Sequence, residues 1–175
     1  MIGDERKLVA GIGITWTDEF PNISVGYSIC AKSSQVAELA AVYQTVKIGI
    51  EHNIKEFVIV TDSNYVRNSF VEYMPTWKRN HMLRSNNKPV KHGKLFCAID
   101  ELVQGNELTV YWIKTKGHSK TQNIDKEGND LADKLAKQGA INGDHVDIDY
   151  FLEMIPIDAI TRQQARVQSE NSVAQ

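Results

Sequence analysis

One stretch constrains the fold more than any other: Phe57 to Phe70, reading F-V-I-V-T-D-S-N-Y-V-R-N-S-F. Phe57-Val58-Ile59-Val60 is a short apolar run, rich in β-branched residues and without alternation. Such a run reads as a strand buried on both faces, as in a parallel sheet. It stops at Thr61-Asp62-Ser63, and a helical segment comes next over about 64–72. A carboxylate at that junction has two possible jobs. Asp62 can cap the helix by accepting from its free N–H groups. It can also serve a ligand, because open α/β sheets bind ligands at the carboxyl ends of their strands.

The remaining segments fit around that strand. Leu8 to Trp16 reads as a strand, and Ser24 to Ala31 alternates with Val25, Tyr27, Ile29 and Ala31 on one face. A Pro21-containing turn between them predicts an antiparallel pair. Gly11-x-Gly13 lacks the third glycine and the helix of a dinucleotide fingerprint, so the glycines are expected to let another backbone or side chain come close. Ser33-Ser34 offers caps for a helix over Gln35 to Ile50, with Val36, Leu39, Ala40, Tyr43, Val46 and Ile50 at helical spacing. Leu95 to Val103 reads as another helix, and Leu108 to Ile113 as a strand parallel to the Phe57 strand through a right-handed crossover. Thr115 to Gly128 is polar, and Asn129 to Gly139 reads as a last helix closed by Gly139, with Leu131 and Leu135 packing inward.

Bulk properties set the class. The chain has 175 residues, 42% hydrophobic and 24% charged, enough for one globular domain. Its net charge of −2 means that nucleic-acid binding would need a local basic patch. Cys30 and Cys97 have neither disulfide-framework nor zinc spacing, and both suit the core. The charged start and the lack of a membrane-length apolar run predict a reducing, cytoplasmic setting with no membrane partner.

Two features point to chemistry. The Gln35–Ile50 helix holds few charges, so its Glu38 is costly unless something cationic meets it. Favouring the helix dipole is one explanation. A metal ion is preferred here, because Asp62 ends the next strand. The second feature is Trp77 to Lys94, which carries Lys78, Arg79, Arg84, Lys88, Lys91 and Lys94 and no acid. A solvated face would explain a basic run. The absence of acidic partners, with an aromatic alongside, suits a phosphate backbone better.

Several motifs together resemble the type 1 ribonuclease H domain, most closely the form fused to retroviral and retrotransposon reverse transcriptases. They are Ala37-Glu38-Leu39, Val60-Thr61-Asp62-Ser63 with Tyr65-Val66, Trp77, Lys88-Pro89-Val90-Lys91, Lys116-Gly117-His118-Ser119, and Gly128-Asn129-Asp130-x-x-Asp133-x-Leu135-Ala136. The resemblance runs from about Leu8 to Ala140 and implies an α/β ribonuclease H-like fold, a mixed central sheet flanked by helices. It implies an endonuclease cutting the RNA strand of RNA–DNA hybrids. Glu38, Asp62 and Asp133 would hold two Mg²⁺ or Mn²⁺ ions about 4 Å apart, hard cations suited to carboxylate oxygens. His118 would move protons or help product leave, Asn64 would reach the minor groove, and Trp77, Lys78, Arg79, Lys88 and Lys91 would grip the substrate. Residues 141–175 would form an acidic linker towards an integrase region of a larger polyprotein that also carries the reverse transcriptase.

One family element has no match. The family's first strand ends in Asp-Gly-Ser, and its aspartate is a metal ligand. Only seven residues precede Leu8, and neither Asp4 nor Asp18 is suitably placed, so the sequence is expected to enter the domain after that strand. The alternative function is therefore a degenerate ribonuclease H-like domain that binds nucleic acid or protein without cutting. An integrase core fits less well, because the Lys-Pro-Val-Lys and Gly-His-Ser loops lie outside its pattern.

Overall fold

The structure is a computed structural model that describes residues 8–16, 23–31, 33–116 and 123–147. Strands β1 (Leu8–Thr15) and β2 (Ser24–Ala31) form the expected antiparallel hairpin, with Leu8 opposite Ala31 and Thr15 opposite Ser24. Helix α1 (Ser34–Glu51) comes next, capped by the Ser33 hydroxyl. Val36, Ala37, Leu39, Ala40, Val42, Val46 and Ile48 are all buried, so α1 is enclosed on most of its circumference. Strand β3 (Glu56–Thr61) pairs in parallel with β4 (Thr109–Lys114), as expected.

Between β3 and β4 the chain is helical but irregular. Helix α2 (Asn64–Asn68) runs into a π-helical turn, Ser69–Tyr73, and then into α3 (Met74–Arg79). The wider π turn breaks the 3.6-residue register, so α3 presents its side chains at a different angle from α2. Trp77 of α3 thereby meets Phe96, with ring centroids 5.2 Å apart, while Phe70 in the π turn stacks on Trp112 at 4.8 Å. Helix α4 (Gly93–Gly105) supplies Phe96, Cys97 and Ile99 to the same core.

The strands divide into two sheets, β1-β2 with a short β5 (Asp144–Val146) and β3-β4. Both contribute to one core, where Ile12, Ile29, Phe57 and Ile59 lie with α1 residues. Trp16, just after β1, meets Phe57 at the start of β3 at 5.3 Å. Among the described residues β1 has no strand partner other than β2, and β3 none other than β4. The Phe57 strand is not buried on both faces as expected: Phe57 and Ile59 face the core, whereas Val58 and Val60, with Tyr111 and Ile113 of β4, form an exposed apolar face on the β3-β4 sheet.

The last helix departs most from expectation. Helix α5 is Ile124–Asn142, capped by the Asn123 side chain, so it starts five residues before the expected Asn129. Gly139 is buried inside it and does not close it. Asp130 therefore lies beyond the first turn, where it faces Lys126 at 4.0 Å. Leu131 is exposed, not inward, whereas Leu135 is half-buried. The Gly11 and Gly13 expectation holds: a Cβ on Gly13 would overlap the Ala132 carbonyl, and one on Gly11 that of Ala136. The fold also continues past residue 140, because β5 pairs in parallel with β2. Residues 148–175 lie outside the described residues, as does the short helix expected near 160–168.

Candidate active site

The site is built at one end of the strands. β2 ends at Ala31, opposite Leu8, and α1 starts three residues later. α1 then runs back over the sheet until Gly49 reaches the Phe57 ring at the start of β3. Glu38, one turn into α1, is therefore at the Ala31 end, and so is the carboxyl end of β3 with Asp62. The structure closes that distance with a hydrogen bond: Ser63 Oγ donates to Glu38 Oε2 at 2.6 Å. Tyr65 lies close by; burial first and the Glu38 charge second hold its hydroxyl pKa above the ordinary value.

The same hydroxyl resolves the ambiguity at Asp62. Ser63, not Asp62, is the N-cap of α2, accepting from the Val66 N–H at 3.3 Å. Asp62 is exposed, and among the described residues its carboxylate makes no hydrogen bond or ion pair. It is thus available to a ligand, one residue before the serine that holds Glu38. Both are hard oxygen donors, which suits Mg²⁺ or Mn²⁺.

Asp133 is elsewhere. α5 runs antiparallel to β1, with Ala132 at Gly13 and Ala136 at Gly11. Asp133 therefore sits level with the Trp16 end of β1. Gly13 is five residues from Leu8, roughly 17 Å along a strand. Asp133 is exposed and pairs with Lys137 at 2.8 Å, which raises the Lys137 pKa through that hydrogen bond first and the Asp133 charge second. Among the described residues no three His, Cys, Asp or Glu side chains converge on a metal position. His118 lies outside the described residues.

The basic segment is a built loop. Met82 N–H donates to the Trp77 carbonyl at 2.7 Å and Val90 N–H to the Met82 carbonyl at 3.0 Å, while Leu83 and Pro89 form a bridge. His81, Met82, Asn87 and His92 hold left-handed backbone angles around its turns. Its side chains are not equivalent. Lys78 forms a 2.9 Å ion pair with Asp100 of α4. Arg79 donates to Thr76 at 3.3 Å and Lys91 to Gln35 at 3.4 Å. Arg84 and Lys88 are exposed at the tip, and Asn64 is exposed at the start of α2. Trp77 is half-buried between Phe96 and Tyr73, so it anchors the loop to the core.

Sequence reasoning misses Ser63 as the partner of Glu38 and Asp100 as the partner of Lys78. The Asp-Ser pair before a helix signals a cap but not which residue makes it. Nothing local marks Asp100, which lies 22 positions from Lys78. A separate cavity of about 300 Å³, lined by Val46, Phe70, Met74, Ile99, Asp100 and Trp112 among others, contains none of Glu38, Asp62, Asp133, Arg84 or Lys88.

Comparison with known proteins bears on the fold and the family. The RNase H family model matches residues 2–141. Ribonuclease H1 of Mus musculus is 33% identical over 136 residues, covering 77% of this chain and 45% of that protein. Ribonuclease H of Mannheimia succiniciproducens is 34% identical over 143 residues, covering 80% and 82%. The chain thus spans less than half the length of the mouse relative and most of the bacterial one. Among solved structures, a foamy viral protease–reverse transcriptase in complex with dsDNA superposes with a TM-score of 0.59 at 25% identity, covering 81% of this chain and 99% of that one. The PFV RNase H domain in solution gives 0.55 at 29% identity, covering 74% and 90%. A foamy viral protease–reverse transcriptase with an RNA/DNA hybrid gives 0.54 at 28%, covering 78% and 20%. With a family match over most of its length and relatives above 30% identity, the chain belongs to the RNase H family.

Proposed function

We propose that this protein is an endonuclease that hydrolyses the RNA strand of RNA–DNA hybrids with two Mg²⁺ or Mn²⁺ ions, in the setting of reverse transcription. One observation carries the reading: Glu38 is fixed at 2.6 Å from Ser63, beside an Asp62 with no partner among the described residues. A strand-end carboxylate one residue from the serine that holds a second, helix-borne carboxylate suits a divalent-ion nuclease. The neighbour solved with an RNA/DNA hybrid supports that substrate class, and its membership in a protease–reverse transcriptase supports a polyprotein context.

Glu38 and Asp62 would hold the ions, which supply an activated water and charge stabilisation at the leaving oxygen. Asp133 is the third ligand that family membership implies, and reaching them requires α5 to leave its seat on Gly11 and Gly13. His118 would handle the proton traffic. The tip residues Arg84 and Lys88, with Lys91 behind them, would hold phosphates, and Asn64 would meet the minor groove. The unpaired edges of β1 and β3 among the described residues support a further point: a strand bearing one more ligand belongs between them. A synthetic strand ending in Asp-Gly-Ser, added in trans, should then raise both the melting temperature and the cleavage rate.

The separation of Asp133 from Glu38 and Asp62 favours a second reading, in which the domain binds hybrid without cutting it. Mg²⁺-dependent cleavage of an end-labelled RNA in a hybrid, with Asp62→Asn as control, decides between them. Cleavage lost in Asp62→Asn establishes the nuclease. Intact RNA from folded, hybrid-binding protein establishes the binding domain.

A further inference from the structure

We propose that Ser63 is a positioning residue that presents Glu38 to the divalent ions. The inference rests on the reading that Glu38 and Asp62 hold them. A serine hydroxyl has one hydrogen and two lone pairs. An ionised carboxylate has no hydrogen to give, so the Ser63 hydrogen points at Glu38 Oε2, and the 2.6 Å separation is that of a charge-assisted O–H···O⁻ bond. One lone pair of the same oxygen takes the Val66 N–H at 3.3 Å. The Ser63 backbone N–H is held in turn by Thr61 Oγ1 at 3.1 Å. Ser63 is thus tied to β3 behind it and to α2 ahead of it, and its hydroxyl has one remaining direction to donate.

That direction crosses 25 positions of sequence to α1. A glutamate side chain turns about three bonds, and fixing it costs rotamer entropy. The Ser63 hydrogen bond fixes it before any ion arrives. Oε2 is engaged by Ser63, which leaves Oε1 and the second lone pair of Oε2 for coordination. Groups behind metal ligands typically change affinity by about 10- to 100-fold when removed.

The test measures Mn²⁺ binding to the full chain without nucleic acid, by calorimetry, in wild type, Asp62→Asn, Ser63→Gly and Ser63→Thr. Glycine is a tolerable N-cap, costing only a few tenths of a kcal/mol against serine, so Ser63→Gly removes the hydrogen bond to Glu38 while largely sparing α2. Threonine keeps the hydroxyl. The expected result is binding weakened about tenfold or more in Ser63→Gly and near wild type in Ser63→Thr, with the Mg²⁺ midpoint of hybrid cleavage moving the same way. If Ser63→Gly fails to fold, Ser63→Cys, which keeps the shape and weakens the donor, takes its place. Equal Mn²⁺ affinity in wild type and the hydroxyl-lacking variant, where wild-type binding depends on Asp62, overturns the role of Ser63 alone. Wild-type binding that is absent, or unchanged in Asp62→Asn, overturns the site reading and this inference with it.

Discussion

The two halves of this molecule are held together by different physics. Around α1, β3, β4 and α4 the contacts are between large side chains: Phe96 meets Tyr65, Phe70 and Trp77 edge-on, and α1 buries nearly every face. Around β1, β2 and α5 the contact is backbone on backbone, allowed by Gly11, Gly13, Gly26 and Gly139. Side-chain interdigitation specifies one arrangement, since each shape fits one place. A glycine seam specifies closeness, but few side chains define where along it the helix stops. Glu38 and Asp62 belong to the first half and stand together, whereas Asp133 belongs to the second and stands apart.

The largest effect should come from the first half. Glu38→Gln and Asp62→Asn should each reduce Mg²⁺-dependent hybrid cleavage by about a hundredfold or more, since losing a ligand costs at least what losing its supporting group does. Single-turnover cleavage of an end-labelled hybrid measures this. Asp133→Asn then asks whether the glycine seam slides. A loss as deep as that of Asp62→Asn is expected, and it would mean that α5 leaves its seat in the loaded enzyme. Wild-type rates in Asp133→Asn would fix the helix where it is seen here and confine the catalytic carboxylates to the first half.

The seam itself can be broken. Gly13→Val puts a branched side chain where the Ala132 carbonyl already lies. Overpacking of this kind costs about 1–3 kcal/mol, so the urea midpoint should fall accordingly. Unchanged stability would mean that α5 can leave β1 at no cost, and the contrast between the halves would be lost.

How much of each half can be read from sequence tracks the same division. The strand Phe57–Val60, the spacing of α1 and the parallel partner at Leu108–Ile113 are legible as elements because apolar runs mark them. Burial on both faces of the Phe57 strand is misread: without alternation in the sequence nothing distinguishes the buried Phe57 and Ile59 from the exposed Val58 and Val60. α5 is legible only in its middle. Gly128 and Gly139 look like boundaries, since glycine usually ends helices, yet here Gly139 is a contact surface against Gly26 and Tyr27. The start at Asn123 is hidden in a polar stretch, and β5 is only three residues long. At the candidate site, Glu38 and Asp62 stand out in the sequence through the cost of charge in an enclosed helix and the position of a strand end. The division of labour between Asp62 and Ser63 is not, because both residue types cap helices and only three-dimensional distance separates the roles.

A smaller effect distinguishes the basic side chains. Lys88 is exposed at the loop tip, whereas Lys78 is already paired with Asp100. Lys88→Ala should lower the salt dependence of hybrid binding by about one phosphate equivalent, read as the slope of log affinity against log salt. Lys78→Ala should leave that slope unchanged while loosening α3 against α4. Equal slopes for the two variants would mean that Asp100 releases Lys78 to the substrate.

The smallest effect lies where that loop enters α4. His92 caps α4 with a left-handed backbone, and its Nε2 is buried without a partner among the described residues. Burial first, and the neighbouring Lys91 charge second, hold its pKa below the ordinary 6.5. With the folded value below the unfolded one, the unfolded chain binds the extra proton first. The neutral ring's contribution is therefore fully present above the unfolded pKa and is lost as pH falls through that value towards the folded one. The urea midpoint should drop on acidification from about pH 7.5 to 5.5, by less than Gly13→Val costs. His92→Asn, which tolerates the left-handed backbone, should flatten the drop. An equal drop in His92→Asn would assign the acid sensitivity to other groups, and the junction of loop and α4 would then carry no pH dependence of its own.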